Sequence, residues 1–217
     1  MSLALFDLDN TLISGDSSQS FSEYLANSEL RTPEDFLTVN EAYMADYDSG
    51  NLDLSAYMRY TLSPLINLGK MQVRELINDF LDQILPSLLL PKAFDLLESH
   101  RAKGEELVIV SATGTHLVEP IAERLNVDHV LAVNVEVKDG FITGEIEGTP
   151  TFREGKVERA QEWAAKRGHN IEQASFYSDS LNDLPLLKAV NRPVAVDPDP
   201  VLERIAREQT WEIISLR

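Results

Sequence analysis

Four short stretches of the sequence hold side chains suited to making and breaking bonds. "LALFDLDNTL" (residues 3–12) ends in Asp7 and Asp9, "LVIVSATGT" (107–115) in Ser111, Thr113 and Thr115, "FREGKVERA" (152–160) holds Lys156, and "FYSDSLNDLPLL" (176–187) presents Asp179 and Asp183. In an extended backbone residues i and i+2 share a face, so Asp7 and Asp9 are expected to project into one volume. Two unit charges about 4 Å apart repel by roughly 4 kcal/mol at an effective dielectric of about 20, and something must offset that. Carboxylates gathered without a thiolate or a nearby histidine suit a hard cation such as Mg²⁺ better than zinc. A magnesium that keeps water and takes few carboxylates typically also holds a substrate phosphate, whose remaining oxygens hydroxyls, amides and a lysine can bind. Each residue also has a local alternative. Asp and Asn cap turns and helices, Ser111 and Thr113 can cap the next helix, Lys156 can be solvated, and Asp183 can be a first-turn acid favoured by the helix dipole.

The elements around these stretches must bring them together. "LALFDLD" is a short, nearly continuous apolar run of the kind covered on both faces of a sheet. From Ser14 to about Leu90 the spacing is helical, with Phe21, Tyr24 and Leu25, then Val73, Ile77, Phe80, Leu81 and Leu85 recurring three and four apart. After Pro91, helix and strand patterns alternate: "KAFDLLESHRAKG", "ELVIVSATG", "THLVEPIAERLN", "HVLAVN", "REGKVERAQEWAAKRG", "ASFYSDS", "LNDLPLLKAV", "PVAVDPD" and a last helix from Val201 to Glu208. Strands separated by helices imply parallel βαβ units. "VNVEVKDGFITGEIEG" alternates with period two about Asp139-Gly140, the signal of a β-hairpin. The expected fold is α/β: a doubly wound parallel sheet, interrupted after its first strand by a helical insertion, with a hairpin beside it. Ligands bind outside the carboxyl ends of such strands, where the polar clusters fall. "WEIISL" near the end fits an edge strand or a contact with another subunit.

Composition narrows the partners. The chain has 217 residues, 43% of them hydrophobic, which is enough for a substantial core. Asp and Glu number 36 against 19 Lys and Arg, a formal charge of −17, so nucleic acid and anionic membranes are repelled at long range and a small ligand or cation is expected. The absence of cysteine excludes disulfides and is compatible with a reducing compartment. Neither a signal peptide nor a membrane span is expected, because "ILPSLLLP" is short and interrupted by proline. A cytoplasmic location follows as an expectation.

In order and spacing, "DLDNT", the strand-ending Ser111, the lone Lys156 and "SDSLND" resemble the four motifs of the haloacid dehalogenase superfamily of phosphatases. The insertion, the hairpin and "EGK" resemble the branch that contains phosphoserine phosphatase and related histidinol phosphatases. The resemblance implies a Rossmann-like core of residues 1–14 and 88–217 and a helical cap of residues 15–87. It implies Asp7 as nucleophile, forming an aspartyl-phosphate, and Asp9 as the acid that protonates the leaving alkoxide and then activates water. It implies Mg²⁺ held by Asp7, the Asp9 main-chain carbonyl and Asp179, with Asp183 assisting. Asn10, Thr11, Ser111, Ala112 and Lys156 are implied to bind the phosphoryl group. The cap is implied to close over the crevice, exclude water and select the leaving group. For an amino-acid-like phosphate, Asp16 and Arg59 are the nearest candidates to recognise amine and carboxylate. "DSSQ" also reads as a helix start and Arg59 as a surface residue. "SATGT" stands where phosphoserine phosphatases usually carry serine and glycines.

Two other classes remain open at this level. One is a signalling module phosphorylated on aspartate, which also combines an acidic pocket, a hydroxyl and a lysine on a doubly wound sheet. Its weaknesses are the cap and Asp9, a built-in hydrolytic base. The other is an acidic Ca²⁺-binding or structural protein, against which the strand-end placement of the aspartates argues. The sequence leaves the leaving group, the phosphoryl acceptor and the oligomeric state undetermined.

Overall fold

The computed structural model describes residues 2–217, the side chain of Asp48 apart; Met1, the first residue of the expected core segment, lies outside them. Its strands are β1 (Leu3–Phe6), β2 (Glu106–Gly114), β3 (His129–Lys138), β4 (Phe141–Glu147), β5 (Ser175–Ser178), β6 (Arg192–Val196) and β7 (Glu212–Ile214). They form one sheet in the order β4-β3-β2-β1-β5-β6-β7, parallel except for β4. β1 is central and buried along its whole length, which is why its sequence is a continuous apolar run. Its period-two alternation divides the core. Leu3 and Leu5 pack with Val108, Phe176 and Ala195, while Ala4 and Phe6 join a second cluster with Ile109, Tyr177 and Val194.

Between β1 and β2 run α1 (Ser17–Ala26), α2 (Phe36–Asp48), α3 (Leu54–Thr61), α4 (Lys70–Leu88) and α5 (Pro91–Arg101). The expected helical insertion corresponds to α1–α4. Its entry and exit lie side by side, joined by an antiparallel bridge between Ile13 and Leu89 and by Ser14 N–H donating to the Leu88 carbonyl at 2.8 Å. Its apolar faces are continuous with the core, since Phe21, Leu25, Phe36, Tyr57 and Phe80 share one buried cluster with Phe6, Leu8 and Leu12. A second attachment reaches the hairpin. Gly69 bridges Phe141, and Lys70 N–H donates to Gly140 O at 3.0 Å.

The later helices are α6 (Thr115–Arg124), α7 (Glu154–Lys166), α8 (Leu184–Ala189) and α9 (Pro200–Glu208). The hairpin forms at Asp139-Gly140, both with positive φ (52° and 85°) as a tight turn requires. One expectation changes. "HVLAVN" and the first arm of the hairpin are a single strand, β3, which pairs parallel to β2 as far as Val133 and antiparallel to β4 from Asn134. No glycine or proline falls between 129 and 138, so nothing breaks the strand. "WEII" contributes β7, parallel to β6 at the sheet edge. Among the described residues no helix is long and apolar enough to cross a membrane.

Chain order reverses across β1: β2 and β3 build outward on one side, and β5, β6 and β7 on the other. The carboxyl ends of β1 and β5 therefore meet at the switch point, where open α/β sheets leave a crevice. Asp7 follows β1 and Asp179 follows β5, and Asp7 N–H donates to Tyr177 O at 2.9 Å.

Candidate active site

Extended geometry ends at Phe6, and the chain then turns tightly. The amides of Thr11, Leu12 and Ile13 all donate to Leu8 O, and Asn10 sits at φ 56°, a left-handed conformation that a short polar residue tolerates. Asp7 and Asp9 both line the same cavity, yet they take separate partners. Asp7 Oδ1 accepts from Lys156 Nζ at 2.7 Å, and both residues are buried, at 6% and 1% exposure. The same ammonium lies 2.6 Å from Asp183 Oδ1 and donates to its Oδ2 at 2.8 Å, an oxygen that also accepts from Ser178 Oγ at 2.7 Å. Asp9 Oδ1 accepts from Ser17 N–H at 2.7 Å and Oδ2 from Thr113 Oγ1 at 2.8 Å. Asp179 Oδ1 accepts from Thr11 Oγ1 at 3.0 Å, and Asp179 N–H donates back to that hydroxyl at 3.1 Å.

The electrostatic strain thus lies elsewhere than in the Asp7–Asp9 pair. Burial, and then the charges of Asp183 and Asp179, outweigh Lys156 and hold the Asp7 carboxyl well above its ordinary range. Burial and Asp183 push Asp179 up to about 7. Burial by itself would depress the Lys156 ammonium, but Asp183 and Asp7 overcome it and raise its pKa, so the lysine stays charged. Three carboxylates face one ammonium, an excess of negative charge that matches a divalent cation. The donors are hard oxygens, which suit Mg²⁺. Among the described residues no three acidic or imidazole side chains already close into a metal-holding cluster. Such a cation would therefore draw on main-chain and substrate oxygens as well.

The residues expected at the phosphoryl group divide into two sets. Ser111, 1% exposed, and Ala112 line the cavity; Ser111 Oγ accepts from Thr113 N–H at 3.1 Å and keeps its own proton to donate. The amides of Asn10 and Thr11, expected in the phosphate cradle, are instead committed to Gly15 O and Leu8 O at 3.0 and 3.2 Å, because the turn consumes them. The Thr11 hydroxyl tethers Asp179 instead. Lys156 stands behind Asp7, bridging it to Asp183. α7 begins at Glu154 so that this lysine falls in its first turn, and a Cβ on Gly155 would stand 2.0 Å from Pro150 O. Gly155→Ala must therefore displace the turn carrying Lys156. We expect it to lower turnover by roughly 10–100-fold, read by steady-state kinetics beside a thermal melt.

The other wall of the cavity comes from the helical insertion. Tyr47 on α2, Leu54 and Tyr57 on α3 and Ser18 on α1 face Asp7 and Asp9 across a space of about 30 Å³, room for a couple of waters. Asn182 Nδ2 donates to Tyr47 O at 2.9 Å, latching α2 to the loop after β5. Asp16 caps α1, accepting from Gln19 N–H at 2.7 Å, and also lines the cavity; burial and then the Asp9 charge push it up to about 7. Asp16 therefore caps a helix and faces the cavity in one geometry. Arg59 does not line the cavity; it is exposed and pairs through Nε and Nη2 with Glu145 of β4, both at 2.8 Å. Sequence reasoning did not single out Tyr47, Tyr57, Ser17 or Ser18. Thr113 stands in the sequence among the hydroxyls that end "LVIVSATGT", with helix capping as the alternative.

A family model for haloacid dehalogenase-like hydrolases matches residues 4–188, a span that takes in every one of these carboxylates and Lys156. The chain belongs to the haloacid dehalogenase-like hydrolases. Among relatives of this hydrolase, a histidinol-phosphatase of Neisseria meningitidis serogroup C (strain 8013) is 35% identical over 219 residues, covering 99% of each chain. A phosphoserine phosphatase of Mycobacterium tuberculosis (strain H37Rv) is 30% identical over 217 residues, covering 99% of this hydrolase and 70% of the relative. Among solved structures, a protein with unknown function from Bordetella pertussis Tohama I superposes with a TM-score of 0.92 at 36% identity, covering 100% of this chain and 99% of its own.

Proposed function

We propose that this hydrolase is a Mg²⁺-dependent phosphatase of small phosphomonoesters whose leaving group carries an ammonium, as in phosphoserine or histidinol phosphate. The observation that carries the reading is the buried Lys156 bridge between Asp7 and Asp183, which aims one carboxylate into a cavity shared with Asp9 and Ser111. Residues 15–87 act as a cap over a core of residues 1–14 and 88–217. The cavity between them is too small for a phosphate ester, so the cap opens to admit one.

An oxygen of Asp7 attacks phosphorus, and the ester P–O bond breaks as Asp9 gives its proton to the departing alkoxide. Water then attacks the aspartyl-phosphate, Asp9 takes its proton, and the Asp7 carboxylate is released with inorganic phosphate. Ser111 donates to a phosphoryl oxygen, and the Lys156 ammonium opposes the burial that disfavours the Asp7 carboxylate and adds positive charge beside the transferring group. Asp7, Asp179 and the Asp9 carbonyl, with Asp183 nearby, would hold Mg²⁺, which would supply positive charge to the phosphoryl oxygens. A screen of phosphorylated metabolites, with Mg²⁺ and with excess chelator, tests this. Phosphate release that ignores chelator, or none from any monoester, overturns it.

Asp16 is the partner of the substrate ammonium. Serine and histidinol both bear an amine, and the two relatives' names point to those leaving groups. Asp16 must be ionised for this pairing, and its carboxyl sits at about 7. KM for an amino phosphate, relative to that for an uncharged alkyl phosphate, should therefore fall as pH rises through about 7. Asp16→Asn keeps the helix cap but should raise KM for the amino phosphate by roughly ten-fold or more and flatten the pH trend.

A further inference from the structure

A second hydrogen-bonded chain enters the cavity from the side of the helical insertion. Ser18 Oγ of α1 lies 3.2 Å from Thr113 Oγ1, and Thr113 Oγ1 donates to Asp9 Oδ2 at 2.8 Å. Each hydroxyl carries a single proton, which fixes the direction of the chain. The Thr113 proton is spent on Asp9, so Ser18 donates to Thr113. Both protons point toward one oxygen of Asp9. The other oxygen is held by Ser17 N–H at 2.7 Å. Thr113 is buried, so water does not substitute readily for it.

Resting on the reading of Asp9 as the proton donor, we propose that Thr113 is a positioning residue for that step, with Ser18 aligned behind it. The chain fixes the plane of the Asp9 carboxyl group and receives the charge that develops when Asp9 gives up its proton. Aligned hydroxyls polarise one another, so the chain favours the carboxylate more than an isolated hydroxyl would. The proton leaves Asp9 for the alkoxide oxygen as the P–O bond breaks, while the Thr113 proton stays on Thr113. The benefit grows as charge builds on Asp9, so it acts on the barrier and less on substrate binding. Because Ser18 belongs to the insertion and Thr113 to the sheet, the alignment is complete only when the insertion is seated over the site.

The test uses leaving groups of different basicity. An alkoxide needs the Asp9 proton in order to depart, whereas 4-nitrophenolate departs without it. kcat/KM reports the steps up to loss of the leaving group and is insensitive to hydrolysis of the aspartyl-phosphate. Thr113→Val keeps shape and removes the donor. We expect it to lower kcat/KM for an alkyl phosphate by roughly ten-fold or more, through kcat, and that for 4-nitrophenyl phosphate by no more than about two-fold. Thr113→Ser should restore the alkyl rate, and Ser18→Ala should shift the same ratio in the same direction by less. In an Asp9→Asn background Thr113→Val should add nothing. Equal losses on both substrates, or a Thr113→Ser enzyme as slow as Thr113→Val, would overturn the assignment. If Asp9→Asn itself shows no dependence on leaving group, the role of Asp9 fails; if it does and Thr113→Val does not, only the positioning role fails.

Discussion

Asp7→Asn is expected to reduce phosphate release by at least roughly 10⁴-fold while leaving the protein as stable as before or more so. The loss follows from chemistry, since a neutral amide oxygen is a poor nucleophile toward phosphorus and Asn cannot form the aspartyl-phosphate. The stability follows from electrostatics. Burial, with the charges of Asp183 and Asp179, raises the Asp7 pKa against the pull of Lys156, so the folded state disfavours the ionised form. For a carboxyl raised in this way the stabilising contribution is complete below the ordinary aspartate pKa and is lost as pH rises toward the folded value. Asn, uncharged throughout, escapes that loss. The melting temperature of the variant relative to wild type, both without added metal, should therefore climb as pH increases from 4 to 8. A turnover assay beside a pH series of thermal melts reads both effects. Persistent activity in Asp7→Asn would remove the nucleophile, and a large fall in melting temperature would mean that the charge sustains the fold.

Lys156→Met should do the opposite to stability and the same to activity. The side chain is 1% exposed and its ammonium serves both Asp7 and Asp183. Methionine fills much of the volume but leaves two buried carboxylates without their cation. Removing one partner of a buried ion pair costs about 3–5 kcal/mol, or roughly 6–20 °C of melting temperature for a chain of this size. Turnover should fall by roughly 10²–10³-fold or more, because Asp7 loses both its orientation and the positive charge that opposes the rise of its pKa. Lys156→Met with Asp183→Asn separates the causes. The double variant should regain much of the lost stability, since one uncompensated charge is gone, and none of the activity. If it regained neither, Lys156 would be supporting the fold by packing.

Several features were legible because they depend on short-range geometry. The apolar run of β1, the period-three-and-four spacing of the insertion, the Asp139-Gly140 turn and the alternation of later strands and helices each follow from local backbone preference, and the sheet was built from them as expected. The split of β3 into two strands failed for the same kind of reason. Alternation marks where a strand runs but carries no information about when it changes partners, and β3 exchanges β2 for β4 without a break. The edge strand β7 was undecidable from sequence, because an apolar terminal segment serves a sheet edge and a subunit contact equally well.

Within the site, the division follows distance along the chain. Strand ends place Asp7, Ser111 and Asp179 at one crevice, because parallel strands in a doubly wound sheet all finish on the same side, and residue spacing is enough to say so. Hydrogen-bond partners are another matter. Lys156 meets carboxylates 149 and 27 residues away, Thr113 meets Asp9 across 104, and Thr11 meets Asp179 across 168. Asp16 turned out to cap a helix and face the cavity together, and Arg59 found Glu145 on the hairpin, outcomes set by how α1 and α3 seat on the core. From its sequence alone this protein is an α/β chain with acidic residues at one end of a sheet, since the local rise and pleat of the chain dictate that much, and its motifs resemble those of a hydrolase family. Which carboxylate is paired, which is strained and which is held by a hydroxyl was decided only by tertiary packing, because burial and partners within 3 Å set the energy of a charge and neither is encoded in residue spacing.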